Sequence, residues 1–376
     1  MEWMKQRQEE MIELLEQLVN TDSGSKYKEG IDRVGDILKG HYEALGFVAE
    51  TIENEKNGNH LLFRQPDATQ PKILLLGHMD TVFAEGTAAN RPFRMKDGRA
   101  YGPGVVDMKG SQVTLLFALK YLAEHDPAAL RNVVVLLNSD EEIGSPTSRE
   151  LIEETARPVE YALVVEPARK DGSLVSSRRG GGHYEMHVKG RAAHSGGAPE
   201  EGISAIEELA HKIIKLNALS DHANGVSVSV GIIEGGEAIN MIPDSATGYI
   251  DVRVNTEQQS HEIHELIEAI CAEPNVPGTT IRLEGGINRP PMEFNERNRA
   301  LLEQVKSVGE SFGLDVTHVH AGGGSDASFP SALGIATIDG LGPVGGELHN
   351  VEEYLELDSL AERCYLVAET VRELSK

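Results

Sequence analysis

Six side chains of this 376-residue sequence have types and settings suited to binding metal ions: His78, Asp107, Glu141, Glu142, Glu166 and His349. His78 opens the triplet His78-Met79-Asp80. In that form an imidazole can bind a metal while the nearby carboxylate takes its other ring proton and fixes the tautomer. Most such triplets are incidental turn or surface residues, so the triplet alone decides nothing. Asp107 follows the glycine-rich Gly102-Pro103-Gly104-Val105-Val106 and precedes a helical pattern containing Leu115 and Leu119. An aspartate there either caps the helix or bridges two cations through its two oxygens. Glu141 and Glu142 are adjacent acids after a strongly apolar run. They form a solvated acidic loop, or else a cation offsets the cost of placing two charges there. Successive side chains of an extended chain diverge, so one acid can bind metal while its neighbour faces water. Glu166 precedes Pro167, and His349 lies in the glycine-rich stretch 342–350, where a lone histidine is ordinarily a hydrogen-bonded surface residue.

Two imidazoles and three carboxylates, with one acid left over, suit two Zn²⁺ ions, for which Co²⁺ or Mn²⁺ are possible substitutes. A shared carboxylate plus one His and one Glu on each ion leaves an open position for water. Two such cations can activate that water, polarise a carbonyl and stabilise the oxyanion formed on attack. Amide hydrolysis is the natural use of such a centre.

Composition narrows the partners. Lys and Arg number 35 against 60 Asp and Glu, a formal charge of −25. That field repels nucleic acid and anionic lipid. Only Cys271 and Cys364 are present, both within helical apolar patterns, so neither a disulfide framework nor a thiolate cluster is expected. No apolar run approaches the ~18–20 residues of a membrane span, and the first twenty residues carry several glutamates unlike a secretory leader. A soluble, cytoplasmic protein is expected.

The elements that must position these groups follow from periodicity. Met11, Leu14, Leu15 and Leu18 mark an amphipathic helix. Apolar runs at Ile73 to Leu76, Val133 to Leu137 and Ala162 to Val165 read as buried strands, separated by helical spacing such as Leu115, Leu119 and Leu122. Each run ends at a candidate ligand, and open α/β sheets bind ligands at the carboxyl ends of their strands. After Gly180 the texture changes to alternating strands (Tyr184, Met186, Val188; Val226, Val228, Val230; Ile250, Val252, Val254) and a fourth at Ile281 and Leu283. Helical patterns with Ile203, Ile206, Ile213 and with Ile263, Ile267, Ile270 fall between them. The order β-α-β-β-α-β is the split βαβ, ferredoxin-like arrangement. Helical spacing returns at Leu301, Val305 and Val308 and from Leu360 to Leu374. The predicted architecture is α/β: a discontinuous catalytic domain (1–179 and 290–376) with a mixed, largely parallel sheet, interrupted by an α+β insert (180–289).

Seven ordered segments carry a resemblance: Gly77-His78-Met79-Asp80-Thr81-Val82, Gly104-Val105-Val106-Asp107-Met108-Lys109-Gly110, Asp140-Glu141-Glu142-Ile143-Gly144-Ser145, Glu166-Pro167, Ala193-His194-Ser195-Gly196, Gly322-Gly323-Gly324-Ser325-Asp326 and His349. Together they resemble the dinuclear-zinc peptidase and deacylase family that includes glutamate carboxypeptidase, acetylornithine deacetylase, succinyl-diaminopimelate desuccinylase and aminoacylase. The resemblance implies that His78 and Glu166 bind one zinc, Glu142 and His349 the other, and Asp107 both. It implies that Asp80 orients His78, that Glu141 is the general base, and that the Asp107-Met108 peptide is cis. The insert resembles the family's lid and dimerisation domain, which implies a homodimer. There His194 would help stabilise the oxyanion, Asn240 and Gly323 would contact substrate, and Arg253 would take the substrate's free carboxylate.

The arginine assignment also has a direct physical basis, since guanidinium pairs with carboxylate in a planar bidentate fashion; the alternative is an exposed cross-strand salt bridge, worth little. Glu166 and the triple glycine lean toward the carboxypeptidase branch. Ser173 stands where that branch has a lysine near the substrate's second carboxylate, with Arg178 and Arg179 a few residues on, so glutamate specificity is not implied. The expected function is metal-dependent cleavage of the amide of a C-terminal amino acid or an N-acyl amino acid. The alternatives are a deacylase or aminopeptidase of the same family, or a non-catalytic metal-loaded binding protein.

Overall fold

The computed structural model describes residues 1–376, which form two compact units. The first comprises Met1–Ser177, Phe294–Ala321 and Ser325–Lys376; the second comprises Arg178–Glu293 and Gly322–Gly324.

The first unit is built on a six-stranded sheet in the order Val48–Ile52, His60–Arg64, Val133–Asn138, Ile73–His78, Tyr161–Val164, Ala336–Ile338. The first two junctions are antiparallel and the remaining three are parallel, the mixed, largely parallel α/β sheet that the apolar runs predict. Every residue of the strands Ile73–His78 and Val133–Asn138 is buried, as expected for parallel strands covered on both faces. Their packing partners include the helices Gln8–Val19, Ser111–His125, Glu296–Glu310 and Leu357–Leu374, whose apolar faces share one core with the sheet.

Register carries the functional consequence. Ile73 pairs with Val133 and His78 with Asn138, so these strands end level. Leu76 pairs with Val164, which puts Glu166, two residues on, beside His78. A second, antiparallel sheet of Gly345–Gly346, Tyr354–Glu356, Arg99–Tyr101 and Arg94–Lys96 frames the loop that carries His349.

The second unit is an antiparallel sheet in the order Ser227–Gly235, Ser245–Val254, Gly180–Lys189, Thr280–Arg289. The helices Ala205–Asn217 and Glu257–Ala272 contribute Leu209, Leu216, Ile263 and Ile267 to a core with Tyr184, Met186, Val188, Ile250 and Val252. Along the chain the elements follow the predicted β-α-β-β-α-β order. One helix differs from the periodicity reading. Ile203 precedes the helix and pairs with Arg191 in a bridge, and Ile206 is 43% exposed, while Ala205, Leu209 and Leu216 face inward. Ser204 caps the helix through its hydroxyl, so the chain turns one residue later than the isoleucine spacing suggests. Cys271 and Cys364 are buried and free. No helix is long and apolar enough to cross a membrane.

Candidate metal centre

Three strand ends and two loops of the first unit place the candidate ligands. His78 is the last residue of its strand. Its Nδ1 lies 2.9 Å from the backbone carbonyl of Asp80 and 3.3 Å from that residue's carboxylate. Protonation of Nδ1 is thereby favoured, and Nε2 keeps its lone pair for a metal. The Asp80 carboxylate is fully buried and spans two loops: it accepts from Ser25 Oγ at 2.6 Å and from the backbone N–H groups of Glu141 and Glu142 at 3.2 and 3.3 Å. One side chain thus ties the end of the His78 strand to the loop bearing both glutamates. Asp140 folds that loop back by accepting from Thr147 and Ser148, and Asp326 accepts from Asn138 and Ser145 at its base.

Asp107 sits between the two imidazoles. Its Oδ1 is 3.4 Å from His78 Nε2 and its Oδ2 3.3 Å from His349 Nε2. Glu166 Oε1 lies 3.5 Å from His78 Nε2, and Glu142 Oε2 lies 3.2 Å from His349 Nε2. Ligand atoms of His78, Asp107 and Glu142 lie within 4.8 Å of one another, as do those of His78, Glu141 and Glu166. All six residues singled out in the sequence therefore converge. Three of their buried atoms, His78 Nε2, Asp107 Oδ1 and Glu142 Oε1, have no hydrogen-bond partner. Buried polar atoms are almost always satisfied, so orphaned lone pairs on nitrogen and carboxylate oxygen, grouped this closely, fit divalent cations.

Asp107 does not cap a helix. It lies in the irregular turn Val105–Gly110, with φ −111° and ψ 93°, and the helix begins at Ser111. The Asp107-Met108 peptide is cis. Gly104 enters this turn at φ +70°, where a Cβ would lie 2.5 Å from Thr81 Cγ2, so only glycine fits without displacement.

The electrostatics follow from burial and close pairing. Burial raises the Glu166 carboxyl well above the usual range and raises Glu142 as well. Burial also opposes charge on Asp107, but the two imidazoles outweigh it and hold that carboxyl far below its ordinary value. The same competition raises His78 well above its usual value, burial losing to Asp107, Asp80 and Glu166. Hydrogen bonds to Asp107 and Glu142 push His349 up to about 10. While no metal is bound, these shifts favour the protonated form of both imidazoles and of the Glu142 and Glu166 carboxyls. Each of these side chains must be deprotonated to act as a ligand, so metal loading is expected to release protons. Titration calorimetry in buffers of different ionisation enthalpy reads this directly; binding heats that do not vary with buffer would contradict it.

One group has no counterpart in the sequence reading. The Glu353 carboxylate accepts the N–H groups of Gly104, Val106 and Asp107 at 3.2, 2.9 and 3.1 Å. It is fully buried, and burial pushes it up to about 7 against the pull of these donors. In a chain with 60 acidic residues, an acid four positions after His349 carries no distinguishing sequence signal.

The remaining sequence candidates belong to the second unit. His194 is exposed on a two-residue strand paired with Met241–Ile242, and its Nδ1 accepts from the N–H groups of Gly196 and Gly197. Asn240 is exposed in the adjoining turn, and its carbonyl accepts from the Ser195 N–H at 3.0 Å. The Gly323 carbonyl accepts from Arg178. Arg253 is 37% exposed and already pairs with Asp251, two residues back on the same strand face: Nη2 to Oδ1 at 2.9 Å and Nε to Oδ2 at 3.1 Å. The salt bridge weighed as an alternative for Arg253 is thus formed, along its strand with Asp251 rather than across to a neighbour.

Comparison with known proteins places this geometry in a family. The sequence model of peptidase family M20/M25/M40 matches residues 74–373. Carboxypeptidase G2 of Pseudomonas sp. strain RS-16 is 30% identical over 375 residues, covering 97% of this chain and 89% of that one. Succinyl-diaminopimelate desuccinylase of Thioalkalivibrio sulfidiphilus is 25% identical over 368 residues, covering 93% and 94%. The aminopeptidase PepT of Bacillus cereus superposes with a TM-score of 0.79 at 22% identity, covering 98% of this chain and 99% of that one; this likeness carries the fold alone. With a family model spanning most of its length and a relative at 30% identity along nearly all of it, the chain belongs to peptidase family M20/M25/M40, whose enzymes are metallopeptidases and amidohydrolases.

Proposed function

We propose that this protein is a dizinc hydrolase that cleaves the amide of an N-acyl amino acid or of a peptide's C-terminal residue. The observation that supports this reading is the convergence of His78, Asp107, Glu142, Glu166 and His349 around orphaned ligand atoms. His78 and Glu166 would hold one cation, Glu142 and His349 the other, and Asp107 both. Bound there, the cations lower the pKa of water and polarise the scissile carbonyl.

The chain's own groups supply the rest. Glu141 takes a proton from the attacking water as its oxygen bonds to the carbonyl carbon, then delivers that proton to the amine nitrogen as the C–N bond breaks. Asp80 keeps His78 in the tautomer that presents Nε2. His194 donates to the developing oxyanion, Asn240 and Gly323 contact the substrate, and Arg253 receives its free carboxylate. Asp251 already takes the Nε–Nη2 edge of that guanidinium, so the substrate would meet the Nη1 side. A cavity of about 460 Å³ beside Glu142 is lined by Tyr27, Val82, Phe83 and Ile143 together with Glu85. Lys26 also lines it, and its largely apolar walls suit the acyl half.

The test is a panel of N-acyl amino acids, their C-terminal carboxamides and free-amine dipeptides. Acids bearing a bulky apolar acyl group are expected to be turned over best. Arg253→Ala is expected to raise KM for them by about 10–100-fold, the worth of a charge-assisted hydrogen bond, while leaving carboxamides unaffected. Exclusive cleavage of free-amine substrates would overturn the reading in favour of an aminopeptidase. An unchanged KM would confine Arg253 to its pair with Asp251.

A further inference from the structure

We propose that Glu353 is a positioning residue: its carboxylate sets the placement of Asp107 relative to His349 and thereby the affinity of the cation those two residues share. The inference rests on the dinuclear reading above.

The two ligands approach from the same end of one antiparallel strand pair. Tyr354 pairs with Tyr101 and Leu355 with Ala100. From that end the chain leaves Tyr101 toward Gly104 and Asp107, while the segment from His349 to Glu353 arrives there. Glu353 spans the gap, with one oxygen on the amides of Val106 and Asp107 and the other on Gly104. The turn at 104–107 is irregular, and these three amides find their acceptor in this single side chain. Buried amides require acceptors, so the carboxylate fixes the path of the backbone on both sides of Val106. On its own side, successive turns link Glu347 to Asn350 and Asn350 to Glu353 through backbone hydrogen bonds. His349 lies inside this relay at φ +61°, and its half-exposed ring meets Asp107 and Glu142.

The choice of a carboxylate is informative. A neutral side-chain amide would spare a second buried negative charge beside Asp107, but it presents only one acceptor oxygen. Both oxygens are engaged, so a shorter acid or an amide cannot keep all three bonds in the same geometry. His78, by contrast, is held by Asp80 and by its strand, independently of Glu353.

Zinc titration with a competing chelator on the full chain tests the proposal, using Glu353→Gln and Glu353→Asp. The expected result is unequal loss: one zinc affinity weakened by about 10–100-fold, the usual effect of losing a group that orients a metal ligand, and the other weakened less, because His78 keeps its own supports. A merely structural role would lower thermal stability without changing the ratio of the two affinities. Folded variants with both affinities intact, or with equal loss at both, would overturn the inference, as would failure of both variants to fold. Wild-type protein that binds no pair of zinc ions would reject the functional reading instead.

Discussion

Glu141→Ala is expected to lower kcat by about 10²–10⁴-fold, the contribution of a positioned general acid and base, while two metal ions remain bound per chain. The separation of effects follows from the geometry. Asp80 holds the backbone of the 141–142 loop through the amides of both glutamates, so truncating one side chain leaves the loop anchored. Glu142 and Glu166 keep their places beside His349 and His78. KM is expected to change far less than kcat, because the lost interaction acts on protons moving in the transition state. Steady-state kinetics with metal analysis of the same preparation reads both quantities. Activity at the wild-type level would remove Glu141 from the mechanism, and loss of metal would recast it as a ligand.

Asp107→Ala is expected to be more severe, abolishing tight binding of both cations and with it measurable turnover. One carboxylate faces both imidazoles, Oδ1 toward His78 and Oδ2 toward His349. Without it each half of the centre retains one imidazole and one glutamate facing it, too few for a closed site. Metal content after dialysis, measured beside thermal unfolding of the metal-free protein, separates loss of ligand from loss of fold. A variant that kept two ions and wild-type turnover would mean that the metals do not share Asp107.

The sequence makes the scaffold of this centre legible more readily than its fine structure. Strands buried on both faces appear as uninterrupted apolar runs, and Ile73–His78 and Val133–Asn138 lie where those runs lie. Acidic or imidazole side chains at the ends of such runs stand out because burial without partners is costly. The alternation that places Asp251 and Arg253 on one strand face likewise makes their pairing foreseeable. Other features depend on backbone bends that spacing does not encode. The nearest acceptor of His78 Nδ1 is the Asp80 carbonyl rather than its carboxylate. Asp107 stands in an irregular turn rather than at a helix cap. Glu353 reaches three amides about 250 positions away in the chain, a contact with no local signature. Ile206 shows the reverse failure, an apolar residue at plausible helical spacing that faces outward.

Anomalous diffraction at the zinc edge from crystals of the metal-loaded protein tests the central claim most directly. The account predicts two peaks on opposite sides of the Asp107 carboxylate, one against His78 and Glu166 and the other against Glu142 and His349. A single peak, or density for metal away from these five side chains, would contradict it.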